Sequence, residues 1–474
     1  MSQTFKHDVL LKAVKTINVI LITIPFALSW FLYYSERMYL RTFYRKGNWV
    51  IILLFLVLYV IFGKVYDAFL VSFNRLSEMI YSQSLAAFIA DALMFVVISL
   101  LMRRLPSLLP MILVLLAQIL LSACWSFLAN HWYFHTFVPK RTLIVYDMRE
   151  GMDKLIEDYG LGGKFEIQKT ITVEECLADD LKVISDSRAE VVYLCGVHSH
   201  DRNTILKYCI TNEITAYVIP RIGDVIMSGG RQMHMFHLPV QRVERYHPGF
   251  EYAVIKRAFD ILLSLVALVI LSPVYLITAI AIKAEDGGPV LYKQTRLTKN
   301  GRPFKIMKFR SMRVDAEKDG IARLSTGEKD DRITKVGRFI RMVRIDELPQ
   351  LINILKGEMS IVGPRPERPE IAAEYEKELP EFSLRLQVTA GLTGLAQVFG
   401  KYNTSSYDKL MMDLMYIANA SILQDLRIMI ATVKILFMPE STEGVAAGQT
   451  TALDYENEAN RTEKWKKRDE HWAD

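Results

Sequence analysis

Apolar residues are concentrated near the start of the chain, in long stretches separated by short polar segments. A helix needs about 20 mostly apolar residues to cross the hydrocarbon core of a membrane. The stretches reach or approach that length, the second by continuing past Gly63 and Lys64, and they run Ile17 to Tyr34, Trp49 to Phe62, Leu85 to Met102 and Leu108 to Leu128. The pattern predicts a four-helix transmembrane domain over residues 1–135, with both ends on one side of the membrane.

The basic residues between these stretches do not decide which side holds the termini. Lysines and arginines flank the predicted helices in similar numbers on both sides, whereas the positive-inside rule needs a clear excess on one side. The polar start of the chain lacks a small-residue cleavage site, which favours a retained segment over a signal peptide.

Residues 140–250 follow another pattern, in which short β-rich runs alternate with polar helical stretches. The runs are RTLIVYD, AEVVYLCG and ITAYVIP. This alternation predicts a small Rossmann-like α/β domain with a doubly wound sheet. The first run leads into Asp147 without a GxGxxG fingerprint, so we interpret the domain as structural or regulatory, without a bound dinucleotide.

A single apolar segment, Ile261 to Ile282, follows the α/β pattern and is interrupted by Ser272 and Pro273. Proline removes one backbone hydrogen bond and clashes with the preceding turn, so the helix should bend there. The residue pattern leaves two outcomes open: a kinked span, which it slightly favours, or a segment that bends back to the same leaflet.

The remaining chain is polar overall and carries amphipathic stretches. Leu410 to Phe437 predicts a helix pair that packs on a core, with the bilayer interface as the alternative. Residues 438–474 are polar and are predicted to be mostly disordered.

Composition indicates the class of protein and argues against disulfide and zinc chemistry. The chain has 474 residues, of which 51% are hydrophobic and 23% charged, and its formal net charge is +6. This mixture indicates a membrane protein with large water-soluble parts, and the basic excess suits anionic headgroups or phosphates. Cys124, Cys176, Cys195 and Cys209 form no CxxC pair, so neither a disulfide framework nor a zinc site is expected.

The candidate chemistry lies between Gly287 and Gln397, around the adjacent carboxylates Asp346 and Glu347. Paired acids surrounded by cations are what a metal-assisted phosphoryl-transfer site requires. Adjacent residues on a helix point about 100° apart, so the two acids should have different roles. The alternative is an acid pair that only stabilises a helix N-terminus.

The cations flanking this pair occur in two motifs. In KIMKFRSM, basic and apolar residues alternate, so a strand would place Lys308 and Arg310 on one face. That face is either a phosphate-binding surface or simply solvated. In GPRP the rigid turn fixes Arg365, whose guanidinium suits a bidentate phosphate contact. A further turn, from Gly391 to Gly394, offers backbone N–H groups to a nucleotide, without the spacing of a P-loop.

Taken in order, these motifs resemble those of one family. KRAFD, the Ser-Pro break, GGPVLYKQTR, KFRSM, RIDELPQLINIL, SIVGPRPE and GLTGLAQV are similar to the motifs of the bacterial sugar transferases, the monotopic phosphoglycosyl transferases that act on polyprenyl phosphate. The resemblance covers about Lys256 to Phe437. The layout before it is similar to that of the larger members, which add four transmembrane helices and a Rossmann-like domain.

The resemblance implies a mechanism. Asp346 would attack the sugar-bearing phosphorus of a UDP-sugar, release UMP and form a phosphosugar-aspartyl intermediate, from which polyprenyl (undecaprenyl) phosphate takes the phosphosugar. Glu347, together with Asp346, would hold Mg²⁺. The residues expected to bind phosphates or the nucleotide are Lys308, Arg310, Arg344, Arg365, Gln397 and Asp425.

It also implies an architecture and a place in the cell. A mostly α-helical catalytic domain over residues 252–437 would carry a re-entrant membrane helix that breaks at Ser272 and Pro273. A full crossing would separate the α/β and catalytic domains, whereas a re-entrant helix keeps both on the cytoplasmic face of the bacterial inner membrane. The reaction would be the first membrane step of exopolysaccharide, capsule or O-antigen synthesis.

The implied partners are a UDP-sugar, polyprenyl phosphate and membrane lipids, without nucleic acid, and a homodimer is left open. Two other functions compete. A glycosyltransferase would move only the sugar, and a membrane scaffold would only recruit assembly partners. The sugar itself cannot be identified from the sequence.

Overall fold

The computed structural model describes residues 3–38, 45–147, 149–178, 180–314, 316, 332–400 and 405–436. The chain divides into two compact units, Met1–Ile219 and Pro220–Asp474. The tail predicted to be disordered, residues 438–474, lies outside the described residues.

The first unit begins with long apolar helices: α1 (Gln3–Ser29), α2 (Arg45–Val65), α3 (Leu76–Met102) and α4 (Leu109–Thr136). Within the described ranges, four helices are long and apolar enough to cross a membrane, or up to five if a bent pair in the second unit counts as one span. The prediction of four apolar helices long enough to cross a membrane is confirmed. Helix α3 begins before the predicted Leu85 because its first turns are mixed in polarity and give no continuous apolar signal.

Polar side chains join three of these helices inside the bundle. Asn18 donates to the side-chain oxygen of Gln83 at 3.1 Å and accepts from the Tyr59 hydroxyl at 2.8 Å. Gln83 in turn donates to the carbonyl of Ala68 at 3.1 Å. Buried amides in an apolar bundle need such partners, so the bonds fix how α1, α2 and α3 pack.

The rest of this unit is an α/β domain built around a parallel sheet. Its elements are β1 (Lys140–Tyr146), α5 (Met152–Asp158), β2 (Phe165–Thr172), α6 (Val173–Ala178), α7 (Lys182–Asp186), β3 (Val191–Cys195), α8 (Ser199–Thr211) and β4 (Thr215–Ile219). In the described part of the chain the strand order is β2-β1-β3-β4. The prediction of a parallel α/β domain is confirmed. The edge strand β2 was missed because only Phe165 and Ile171 in it are buried.

One buried lysine joins this domain to the loop between α2 and α3. Lys164 donates from Nζ to the Ser72 hydroxyl at 3.1 Å and lies over the Phe73 ring. Burial, with a smaller contribution from Lys140, lowers the pKa of Lys164 to about 7. The contact places the α2–α3 loop and the sheet on the same side of the predicted membrane domain.

The second unit is mostly helical, as predicted, with short two-stranded ladders. Its elements are α9 (Ile222–Ser228), β5 (Arg231–Met235), β6 (Leu238–Arg242), α10 (Phe250–Ile270), α11 (Ser272–Asp286), β7 (Leu291–Leu297), β8 (Pro303–Phe309), α12 (Lys335–Met342), α13 (Gln350–Lys356), β9 (Ser360–Val362), α14 (Pro369–Glu378), β10 (Gly391–Thr393), α15 (Leu395–Phe399), α16 (Ser406–Ala418) and α17 (Ile422–Leu436). The ladders β5–β6 and β7–β8 are antiparallel, and β9–β10 is parallel.

The predicted bend in the lone apolar segment is confirmed. Helices α10 and α11 meet at an angle of 62°. Pro273 lies in the first turn of α11, and the Ser272 hydroxyl donates to the carbonyl of Val269 at 2.8 Å. The serine thus bonds to a carbonyl next to the break, where the helical pattern of hydrogen bonds is interrupted.

Helices α16 and α17 pack into the core of the second unit, as the preferred interpretation predicted. Leu410, Leu414, Ile417 and Ile428 are buried there together with Phe382. The cysteines, all of which lie in described ranges, are free, in agreement with the absence of a disulfide framework.

Candidate active site

The two adjacent carboxylates lie on a tight turn between helices. Arg344 adopts a left-handed conformation (φ 55°) that ends the path of α12, and Ile345–Glu347 form a single 3-10 turn. The acid pair thus precedes α13, which begins only at Gln350. With three residues per turn, consecutive side chains diverge even more than on an α-helix. The turn therefore gives Asp346 and Glu347 different surroundings.

Two predicted cations converge on one oxygen of Glu347. Lys308, near the end of β8, donates from Nζ to Oε1 at 2.8 Å. Arg365 donates to the same Oε1 at 3.0 Å. Lys308 and Arg365 lie far from Glu347 in sequence, so it is the fold that brings the two cations and the carboxylate together.

The charges separate the pKa values of the two acids. Burial raises the pKa of Asp346 to about 6, with Lys308 opposing and the negative charge of Glu347 adding to the rise. Burial also opposes ionisation of Glu347, but the charges of Lys308 and Arg365 outweigh it and hold its pKa well below the usual range. Arg341, which the sequence did not single out, also favours the ionised form of Asp346. Glu347 is thus held as an anion, whereas the neighbouring Asp346 has a raised pKa.

Close backbone contacts fix the turn that carries Arg365. The Gly363 N–H donates to the Thr393 carbonyl at 2.8 Å, and the Gly391 N–H donates to the Pro364 carbonyl at 2.8 Å. A Cβ on Gly363 would lie 2.3 Å from the Thr389 carbonyl oxygen, so only glycine permits this approach. The Gly391 N–H, expected to face a nucleotide, is used within the protein instead.

Two arginines, the buried Arg385 and the partly buried Arg296, donate to main-chain carbonyls of the same turn. Arg385 donates to the Arg365 carbonyl at 2.9 Å and forms an ion pair with Asp413 at 2.7 Å. Arg296 donates to the Pro366 carbonyl at 3.1 Å. None of these three side chains was predicted, and the available signal was weak: Arg385 and Asp413 are charges within otherwise apolar stretches.

Arg310 is directed elsewhere. Its guanidinium forms a bidentate pair with Asp286 at the end of α11, with one bond of 2.6 Å, and its Nε donates to the Pro289 carbonyl at 2.7 Å. The side-chain hydrogen bond from Arg310 lowers the pKa of Asp286 to about 2. Arg310 therefore ties β8 to α11 in this structure, and a role in phosphate binding remains a prediction.

The other candidate residues have distinct positions. Arg344 begins the turn of the acid pair, and its charge contributes to the low pKa of Glu347. Asp425 accepts from Lys256 at 2.8 Å, Tyr416 at 2.8 Å and Tyr252 at 2.9 Å. Gln397 donates to the Leu392 carbonyl at 3.4 Å. The structure connects neither Asp425 nor Gln397 to the acid pair within the described residues, and their nucleotide-binding roles remain predictions.

Helix α11 contacts both ends of the segment that carries the acid pair. The Tyr275 hydroxyl donates to the carbonyl of Leu348, the residue after Glu347. Glu285 accepts from the backbone N–H groups of Lys335 at 2.8 Å and Val336 at 3.3 Å, at the start of α12. The bent apolar pair therefore helps to position the acid pair.

The residues present fit a magnesium ion only in combination with a phosphate ligand. In the described part of the chain, no group of three or more histidine, cysteine or acidic side chains is placed to hold a metal. Mg²⁺ is commonly bound by one or two carboxylates plus substrate phosphates and waters. Asp346 and Glu347 supply two carboxylates, and the bonds from Lys308 and Arg365 to Glu347 both end on Oε1.

Comparison with known proteins identifies the part of the chain that carries this site. Residues 251–439 match the family model described as bacterial sugar transferase. The exopolysaccharide production protein PSS of Rhizobium leguminosarum bv. phaseoli is 44% identical over 189 residues, which are 38% of this chain and 94% of that protein. A UDP-glucose:undecaprenyl-phosphate glucose-1-phosphate transferase of Caulobacter vibrioides is 40% identical over 191 residues, which are 39% of this chain and 71% of the relative.

A longer match is to a protein of Aeromonas hydrophila, a UDP-N-acetylgalactosamine-undecaprenyl-phosphate N-acetylgalactosaminephosphotransferase. It is 38% identical over 234 residues, which are 49% of this chain and 54% of the relative. The chain thus spans about half of that protein and nearly all of the shorter Rhizobium protein. The acid pair, Lys308 and Arg365 all lie inside the matched region, and the chain belongs to the bacterial sugar transferase family.

Proposed function

We propose that the chain transfers a sugar-1-phosphate from a UDP-sugar to polyprenyl phosphate, the undecaprenyl lipid in bacteria, and so starts synthesis of an exported polysaccharide. The observation that carries the proposal is the unequal acid pair. Glu347 is held as an anion by Lys308 and Arg365, whereas Asp346 is buried beside it and takes no part in those bonds. The names of the relatives support the same donor and acceptor classes.

The reaction divides into two displacements at one phosphorus. A carboxylate oxygen of Asp346 attacks the sugar-bearing phosphorus of the UDP-sugar, and the bond from that phosphorus to the bridging oxygen breaks. The electron pair leaves with UMP. A phosphate oxygen of the polyprenyl lipid then attacks the same phosphorus, and the Asp346 carboxylate leaves. Two half-reactions let a water-soluble donor and a membrane acceptor use one site in turn.

The surrounding charges suit this chemistry. Phosphoryl transfer depends mainly on positioning and on neutralising the phosphate oxygens. Arg365 is pre-set by its glycine-supported turn, and Lys308 lies beside it on β8. A bound Mg²⁺ would add charge neutralisation of the phosphate oxygens, with Glu347 and Asp346 as its protein ligands.

The bent pair α10–α11 is proposed to enter and leave the same leaflet, with the catalytic unit on the cytoplasmic face of the inner membrane. UDP-sugars are cytoplasmic, and a re-entrant pair keeps the acid pair at the headgroup plane. The 62° bend and the Ser272 hydrogen bond at the break support this arrangement. Labelling of cysteines substituted for Glu251 and Lys283 in sealed vesicles tests it, because both should react from the same side. Reaction from opposite sides would contradict the re-entrant arrangement.

Product analysis tests the proposed reaction. Membranes that contain the protein, a panel of UDP-sugars and polyprenyl phosphate should release UMP and form a lipid-linked diphosphosugar with at least one donor. Release of UDP with a lipid monophosphosugar would indicate a glycosyltransferase that moves only the sugar. Absence of any turnover in folded protein across the panel would favour a scaffold role.

A further inference from the structure

A buried carboxylic acid lies near the middle of the apolar helix α3. Asp91 is 3% exposed, and neither of its carboxyl oxygens has a hydrogen-bond partner in the part of the chain that the structure describes. Within the same ranges, no basic side chain pairs with it. A carboxylate without a counter-charge is costly in an apolar bundle, and such residues commonly mark sites for ions or protons.

Three polar side chains of α4 form a buried stripe beside this acid. Gln118, Ser122 and Ser126 follow one another at intervals of four residues, so they share one face of the helix. All three are 0% exposed. The Gln118 amide lies close to the Asp91 carboxyl, but it donates instead to the Ile22 carbonyl of α1 at 3.2 Å. Gln118 Oε1 and both serine hydroxyls have no hydrogen-bond partner among the described residues.

Helix α1 brings main-chain oxygens to the same level of the bundle. Pro25 lies inside α1, and it has no N–H to donate to the Leu21 carbonyl one turn earlier. Leu21 directly precedes Ile22, whose carbonyl accepts from Gln118. Main-chain carbonyls freed at an interrupted helix are common cation ligands in membrane proteins. Three helices therefore contribute oxygen atoms around Asp91.

The number and kind of these atoms decide between possible occupants. A proton on Asp91 adds a single donor, which cannot satisfy the second carboxyl oxygen and Gln118 Oε1 at the same time. A cation contacts several oxygens at once, and oxygen ligands suit a hard ion. A single positive charge cancels the carboxylate charge, whereas a divalent ion would leave a net charge inside the apolar bundle.

We propose that Asp91, Gln118 and Ser122 bind a hard monovalent cation, of which Na⁺ is the probe, inside the bundle of α1 to α4. The Asp91 carboxylate is the charged ligand, and the side-chain oxygens of Gln118 and Ser122 are neutral ligands. The bound ion joins α3 to α4 and, through the contact of Gln118 with Ile22, holds α1 as well. The site belongs to the unit Met1–Ile219 and the acid pair to the other unit, so the proposal does not depend on sugar transfer.

Ion binding is measured on the full chain in detergent micelles without any substrate. Thermal unfolding is followed in NaCl and in N-methylglucamine chloride at equal ionic strength and at several pH values, because a ligand that binds only the folded state raises the melting temperature. Equilibrium dialysis against ²²Na⁺ gives the stoichiometry. Asp91→Asn removes the charged ligand with little change in shape, and Glu78→Gln removes an acid from the first turn of the same helix as a control.

We expect Na⁺ to raise the melting temperature of the wild type by several degrees and to bind with one equivalent per chain. Glu78→Gln should keep both effects, Asp91→Asn should lose both, and Ser122→Ala should raise the half-saturating Na⁺ concentration several-fold. Absence of Na⁺ binding by the folded wild type would overturn the proposal, and this measurement does not depend on any variant. A melting temperature that follows pH but not Na⁺ would overturn it in favour of a proton. Na⁺ binding retained by folded Asp91→Asn would also overturn it, because the ion would then lie elsewhere.

Discussion

The Tyr275 hydroxyl donates to the carbonyl oxygen of Leu348, and this bond connects the second half of the bent apolar pair to the residue that follows the acid pair. Tyr275 also packs against the ring of Phe309 on β8, with centroids 5.4 Å apart. One side chain thus contacts both the strand that carries Lys308 and the turn that carries Glu347. The position of the bent pair and the geometry of the acid pair are therefore coupled.

Loss of this hydroxyl should affect turnover more than folding. Tyr275→Phe keeps the ring contact and removes a hydrogen bond, which costs about 1 kcal/mol of stability. Turnover should fall about tenfold because the turn with Asp346 loses a support, and a 1.4 kcal/mol change in a barrier is a factor of ten. Thermal unfolding and UMP release measure the two effects.

Tyr375→Phe is the matched control for this variant. Tyr375 is a buried tyrosine of the same unit, packed in the core around Phe382 and Leu410, so the control also removes one hydroxyl. It should leave turnover close to that of the wild type. Equal turnover in the two variants would argue against coupling through Tyr275.

The ion pair of Asp286 and Arg310 predicts a pH-dependent contribution to stability. Arg310 lowers the pKa of Asp286 to about 2 in the folded protein, whereas an unperturbed aspartate titrates near 4. A lowered pKa means that the stabilisation is present above the unfolded value and is lost as the pH falls from about 4 to about 2. The difference in melting temperature between wild type and Asp286→Asn should therefore be constant near neutral pH and disappear in that acidic range.

A charge-matched control is Glu378→Gln, which removes a negative charge from the exposed end of α14. Its melting temperature should stay within a small, constant offset of the wild type. If the Asp286→Asn difference persisted unchanged down to pH 2, the ion pair would not be the source of the stabilisation.

Arg385 should act by positioning the Arg365 turn. Arg385→Met removes the bond to the Arg365 carbonyl and leaves the nearly buried Asp413 without its ion-pair partner. Breaking a buried pair in this way costs about 3–5 kcal/mol, so the single variant should be markedly less stable in chemical unfolding.

The double variant Arg385→Met/Asp413→Leu separates stability from positioning. It removes both buried charges and should recover much of the lost stability. In both variants the Arg365 carbonyl lacks its hydrogen bond from Arg385. The KM for the UDP-sugar should therefore be higher than in the wild type in the double variant as well. Arg385→Lys should restore part of the affinity because it can still donate to that carbonyl. A double variant with a wild-type KM would show that Arg385 has only a structural role.

Local chemistry made much of this protein predictable from its sequence. The four apolar helices, the alternation of strands and helices, and the bend at Pro273 all follow from properties of short segments. Lys308 and Arg365 were singled out by their residue types and motifs as candidate phosphate-binding cations near the acid pair. Their convergence on a single oxygen of Glu347 required the fold.

The remaining features depend on contacts between distant segments. Lys308 and Arg310 are two residues apart and carry the same charge. Arg310 pairs with Asp286 because α11 ends beside the end of β8, whereas Lys308 pairs with Glu347. Tyr275 and Arg385 act through main-chain carbonyls, which every residue possesses, so no side-chain motif marks them. The edge strand β2 escaped prediction because a strand covered on few sides needs few apolar residues.

The measurement that tests the central claim most directly is intact-protein and peptide mass spectrometry after incubation with a UDP-sugar in the absence of polyprenyl phosphate. The proposed mechanism predicts UMP release of up to one equivalent and a mass increase equal to one sugar phosphate on the peptide that contains Asp346. Both should be absent in folded Asp346→Asn, and later addition of polyprenyl phosphate should remove the adduct from the wild type. Robust turnover by Asp346→Asn, or a catalytically active wild type that never carries the adduct on Asp346, would contradict the account.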